Sequence, residues 1–113
     1  MSNLNVKRIE RDIEKYIPLI IQKEVKDEII KSITITDCDL AHDLSYCKVY
    51  FTSMLNEDKK IIEKKVNEAS GFIRMKLANL IDTRITPTLK FIYDTSIEYA
   101  QNIETKIKEL HEN

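Results

Sequence analysis

The residues best placed to do chemistry are basic ones grouped around a lone glycine. In the stretch "KKVNEASGFIRMKLANL", residues 64–80, Lys64, Lys65, Arg74 and Lys76 surround Gly71, the one glycine among 113 residues. Glycine inside a helix costs about 1 kcal/mol relative to alanine. Its use in an amphipathic run therefore asks for a reason. A break between two helices supplies one. A second helix would begin near Ser70, which can cap it, after the small Ala69. Its first N–H groups, at about Gly71 to Ile73, would lack helical partners. Such a helix start attracts phosphate, and a residue without Cβ lets another backbone approach closely. The chemistry on offer is the binding of a polyanion backbone. The plain alternative is a helix corner packed on a sheet. The arginines fit the same reading. The chain has 14 lysines and 4 arginines, and Arg74 and Arg84 lie on either side of the segment that follows Gly71. Their planar forks suit phosphate or carboxylate. A structural ion pair with a nearby acid explains them equally well.

Other candidate chemistries fail on spacing. His42 lies in a polar turn beside Asp43, and His111 lies near the C-terminus. No Gly-rich phosphate loop, nucleophile elbow or metal-ligand pattern is present. Asp37, Asp39 and Asp43 lack the glycine and terminal glutamate of a calcium loop. Neither catalysis, a metal nor a cofactor is expected. If the turn falls at His42–Asp43, Cys38 and Cys47 sit opposite each other, close enough for a marginal disulfide. A reducing cytoplasm favours two free, mostly buried thiols.

The charge distribution sharpens the polyanion reading. Net charge is −1, but residues 59–90 carry eight bases against Glu63, Glu68 and Asp82, a net of +5. Residues 28–58 carry a net of −4 and residues 91–113 a net of −3. A local basic face is what a polyanion needs, whatever the total. A solvated lysine-rich helix is the competing explanation. No apolar run is long enough for a membrane span, and residues 1–11 hold no signal-peptide core.

The elements that must position these residues follow from periodicity. Leu4, Val6, Ile9, Ile13, Ile17, Ile20, Ile21 and Val25 have helical spacing, with a kink expected at Pro18. "SITITDCDL", 32–40, and "YCKVYFTSM", 46–54, read as strands joined by a short hairpin whose register is ambiguous. Asn56 is a plausible N-cap for a helix bearing Ile61, Ile62, Val66 and Ala69. The apolar stripe resumes at Phe72, Ile73, Leu77, Leu80 and Ile81. "TLKFIYD", 88–94, is a third strand, and "TSIE", 95–98, is a capping-box opening for a last helix. The order α-β-β-α-α-β-α gives a two-layer α+β domain over the whole chain, with helices on one face of a three-stranded sheet.

These residues also resemble a known family, ribosome-binding factor A. The segments that carry the resemblance are Lys26–Asp27, "ITIT" at 33–36, "DLSYCKVYFT" at 43–52, "EASGFIR" at 68–74 and "LIDTRITPTLKFIYD" at 80–94. The resemblance implies a type II KH-like domain in which Ala69–Ser70–Gly71 forms a helix–kink–helix in place of the usual phosphate-clamping loop. It implies a non-catalytic cytoplasmic factor, monomeric, without a small-molecule substrate or membrane partner. Such a factor would bind 16S rRNA and the free 30S subunit, help mature the 5′ end of 16S rRNA, and matter most in the cold. Joined to the basic residues read from charge and spacing, that kink gives the candidate RNA-binding set Arg8, Lys64, Lys65, Ala69, Ser70, Gly71, Arg74, Lys76 and Arg84. The chain departs from the family pattern where "KDEI" replaces Lys-Asp-Pro-Arg, at Thr88 in place of a glutamate, at Pro18, and in its lack of long basic tails. A protein-interaction module using a sheet edge or the acidic 28–58 surface is the alternative from another class.

Overall fold

The computed structural model describes residues 2–96. Helix α1, Ser2–Glu24, runs unbroken through Pro18. Its buried positions are Val6, Ile9, Ile13, Ile17, Ile20 and Ile21, followed by Val25 just past its end. These recur every three or four residues, so they form the single apolar stripe that the spacing predicts. A short helix that the periodicity does not signal follows: α2, Glu28–Lys31. Asp27 caps it, its Oδ1 accepting the N–H of Ile29 at 2.8 Å and of Ile30 at 3.2 Å.

Strands β1, Ile33–Leu40, and β2, Tyr46–Ser53, pair antiparallel. The register differs from the expected one. Leu40 faces Cys47 and Cys38 faces Val49, so the two cysteines are diagonal. Both thiols are free and buried. The cause is a five-residue connection, 41–45, in which Ala41 N–H donates to Tyr46 O and Leu44 N–H donates to Ala41 O. Leu44 carries φ 66°, uncommon for a bulky side chain, and packs against the core. A bulge between Ile35 and Asp37 shifts the register further along.

Helix α3, Lys59–Glu68, and helix α4, Ser70–Ala78, follow. The cap of α3 is Asp58, whose side chain accepts the Lys60 N–H, and not Asn56. Strand β3, Thr88–Tyr93, then pairs parallel to β2, giving the order β1-β2-β3. The α3–α4 pair is the crossover that a parallel return requires.

Cys38, Leu40, Cys47, Val49, Phe51, Leu89 and Phe91 form the buried sheet face. They pack with the α1 stripe and with Ile62, Val66, Ile73 and Leu77 of α3 and α4. Asp37, Asp39, Lys48, Thr88 and Lys90 face outward and are exposed. The helices thus cover one face of the sheet, the α+β, KH-like layering expected. Three residues of the expected apolar stripe are instead exposed: Ile61, Phe72 and Leu80. The expected last helix lies outside the described residues. At its threshold, Asp94 Oδ1 accepts the N–H and the hydroxyl of Ser96, at 2.9 and 2.6 Å.

Candidate nucleic-acid interface

The two helices share one residue. Ala69 ends α3 and begins α4, with φ −90° and ψ −1°. A ψ near zero instead of about −42° turns the axis at that point. Ala69 N–H donates to Val66 O at 3.1 Å, and Ile73 N–H donates to Ala69 O at 3.0 Å. Ser70 does not cap α4, which has no side-chain cap. Its start is also one residue shorter of free donors than expected, since the Ile73 N–H is already bonded.

Gly71 sits in the first turn of α4, exposed, with φ outside the left-handed region. A Cβ built there would meet nothing within 4 Å. Neither backbone strain nor packing inside the chain requires a glycine at this position. The turn between the two helices lies at Ala69, two residues before Gly71.

The flank before the kink is tied to β3 and the flank after it to the segment leading into β3. Before it, Asn67 Nδ2 donates to Phe91 O at 2.8 Å and to Glu63 O at 2.9 Å, while Phe91 N–H donates to Asn67 Oδ1 at 2.8 Å. One turn earlier, Glu63 Oε2 accepts the Tyr93 N–H at 2.9 Å. The amide of Asn67 thereby bonds β3 as a neighbouring strand would. After the kink, Arg74 Nε and Nη2 both donate to Thr86 O, at 3.1 and 2.8 Å. Arg74 is therefore held by a carbonyl, not by the acid partner that the sequence left open. It remains exposed.

The structure brings some of the expected residues together and separates others. Gly71, Arg74 and Arg84 line one open groove of about 480 Å³ with Met75, Ala78, Ile85 and Thr86. Arg84 is exposed there. Lys65 and Lys76 are held by acids on other elements. Lys65 Nζ lies 3.4 Å from Asp27 Oδ2, and Lys76 Nζ lies 3.5 Å from Glu24 Oε2 and 5.6 Å from the centre of the Phe72 ring. Both pairs are partly exposed, so each contributes at most about 1 kcal/mol and can be exchanged for phosphate. Hydrogen bonds from Ile30 N–H, then Ile29 N–H, and the Lys65 ammonium hold the Asp27 carboxyl below its ordinary range, against a smaller effect of burial. Lys64 is exposed on α3. Arg8 is exposed on α1, its Nη2 donating to Asn5 Oδ1 at 2.9 Å.

Sequence reasoning missed Asn67, Met75, Ile85 and Thr86. Asn67 stands one position from the buried Val66, and nothing local marks its long-range partner. Met75 and Ile85 are apolar residues that would ordinarily be assigned to the core, yet both are at least half exposed.

The edges of the sheet bear on the alternative reading. Asn67 and Glu63 occupy backbone groups of β3 that would otherwise be open. At β1, Leu40 N–H donates to Glu10 Oε2 at 2.9 Å and Cys38 N–H to Asp37 Oδ1 at 2.9 Å. Side chains thus fill part of the hydrogen-bonding edge that an added strand would use.

Comparison with known proteins follows the same line. The family model for ribosome-binding factor A matches residues 5–107. Ribosome-binding factor A from Staphylococcus epidermidis is 41% identical over 115 residues, covering 100% of this chain and 98% of that protein. The crystal structure of ribosome-binding factor A from Thermus thermophilus superposes with a TM-score of 0.69 at 19% identity, over 78% of this chain and 94% of that one. A Thermus thermophilus ribosome-binding factor A fitted into a cryo-electron-microscopy map of its complex with the 30S subunit has a TM-score of 0.59 at 19% identity, covering 85% and 97%. The chain belongs to the ribosome-binding factor A family.

Proposed function

We propose that this protein is a non-catalytic assembly factor that binds the free 30S subunit through the 16S rRNA backbone at the Gly71 kink and assists maturation of the rRNA 5′ end. The observation that carries this is the glycine itself. It lowers helix stability, its φ is ordinary, and a Cβ would touch nothing among the described residues. The remaining use for a bare backbone is close approach by something outside the chain. Arg74 and Arg84 beside it are exposed and suit phosphate. A relative fitted into a 30S complex supports the same partner. The protein-interaction alternative finds less support, because side chains occupy the sheet edges it would use.

The test is sedimentation with separated ribosomal particles, joined to 16S end mapping in cells depleted of the protein. The protein is expected with free small subunits, and depleted cells are expected to accumulate 16S precursor with an unprocessed 5′ end. Travel with polysomes, together with mature 16S ends after depletion, would reject the reading.

A further inference from the structure

The groove beside the kink does not end at Arg84. A second hollow adjoins it, lined by Asn5, Ile9, Leu44, Asp82, Arg84 and Ile85. Arg84 and Ile85 line both hollows, so the segment carrying them is their common wall. Arg8 does not line the second hollow itself, but its Nη2 donates to Oδ1 of Asn5, which does. Arg74, Arg84 and Arg8, three of the four arginines, therefore follow one path across the surface. Both hollows have the same make-up. Met75, Ala78 and Ile85 give the first an aliphatic lining, and Ile9, Leu44 and Ile85 do so for the second. Asp82 is the one acid that lines either. The left-handed backbone at Leu44 lies beside the second hollow, at the turn between β1 and β2.

We infer that a single RNA strand runs from the kink, across Arg84, into the second hollow at the start of α1. Its phosphates would lie on the three arginines and its bases against Met75, Ile85 and Leu44. This rests on the rRNA reading above and adds the strandedness and course of the RNA. Duplex RNA turns its bases inward and would leave the aliphatic linings unused. An unpaired strand presents bases and phosphates together, and guanidinium planes serve both. The acidic 28–58 segment lies mostly on other elements, so charge favours this path for a polyanion.

The test places a photoreactive benzophenone side chain at the exposed Asp82, which lines the second hollow and leaves the Arg8–Asn5 bond in place, or, separately, at the exposed Ala78, in the full chain bound to free small subunits. Both positions are expected to cross-link 16S rRNA within a few nucleotides of each other, in one unpaired segment. Arg8→Ala is expected to remove the Asp82 cross-link, keep the Ala78 one, and reduce the salt slope of binding by about one unit. Circular dichroism should show an unchanged fold, since Arg8 is exposed. RNA cross-links from Ala78 combined with none from Asp82, or with links from Asp82 to protein or duplex RNA, would overturn the strand path and leave the kink site standing. Absence of RNA cross-links from both positions would overturn the path and the rRNA reading together.

Discussion

Gly71 shows how a residue can be read from what it does not do for its own fold. Its conformation suits any amino acid and its missing Cβ leaves open space. Gly71→Ala is therefore expected to keep or raise the melting temperature, by up to about 1 kcal/mol in stability, while weakening association with small subunits. A parallel measurement of thermal melting and subunit binding separates the two effects; a drop in melting temperature would return the glycine to a structural role. Asp27 has the opposite character, since its carboxylate works inside the chain. It caps α2 and meets Lys65. Its lowered pKa means that it adds stability above the unfolded-state value, and that this share is lost as pH falls through the folded value. Asp27→Ala should lower stability by about 1 kcal/mol near neutral pH, with the difference from the parent shrinking at acid pH in denaturant melts. The thiols are inert for a related reason. The neighbouring Cys47 sulfur, and then burial, push the Cys38 thiol above its ordinary range, so it stays protonated. A thiol reagent is expected to react slowly with the native protein and to titrate two groups after denaturation.

At the scale of elements, the kink is set less by the residues inside it than by the anchors on either side. Asn67 joins α3 to β3 with two hydrogen bonds, and Arg74 joins α4 to the segment before β3. Asn67→Ala would leave Phe91 N–H and C=O without that partner. Partly buried groups of this kind cost about 1–3 kcal/mol when unmet. The variant should lose stability on that order, and the Glu63→Ala/Asn67→Ala pair should also free the β3 edge for intermolecular pairing. Size-exclusion chromatography would detect the resulting self-association; a double variant that stays the size of its parent would show that the edge needs no such cover. This is also where the sequence is least informative. The strands are visible in their β-branched and aromatic residues, and α1 in its stripe. Helix α2 spans four residues, too few to show a period. The cysteine register depends on the length of the 41–45 connection, which alternation does not reveal. Of the candidate site, the local part is legible: Ala69 to Gly71 and the arginines after them. The acids that hold Lys65 and Lys76 lie about 38 and 52 positions earlier in the chain, and local spacing carries no information about them.

At the scale of the whole molecule, the balance of charge decides how binding behaves. The chain is nearly neutral, with net charge −1, yet its basic residues concentrate in the 59–90 segment that makes α3, α4 and the approach to β3. Long-range attraction between a near-neutral protein and an RNA is weak, so contact depends on the local face and on ions released there. Two of its lysines must also leave Asp27 and Glu24 before they meet phosphate. Those exchanges use exposed pairs and therefore cost little. Binding to small subunits should weaken steeply with salt, with a slope close to about 0.7–0.9 per phosphate neutralised. Lys64→Glu with Lys65→Glu should flatten that slope, because it removes two contacts from the same face. The far-UV circular dichroism should be unchanged, since Lys64 is exposed and the Lys65–Asp27 pair lies at the surface. Filter binding at several salt concentrations measures the slope directly. If the double variant binds with the parent's slope, Lys64 and Lys65 take no part, and the contact lies with Lys76 and the arginines at 8, 74 and 84.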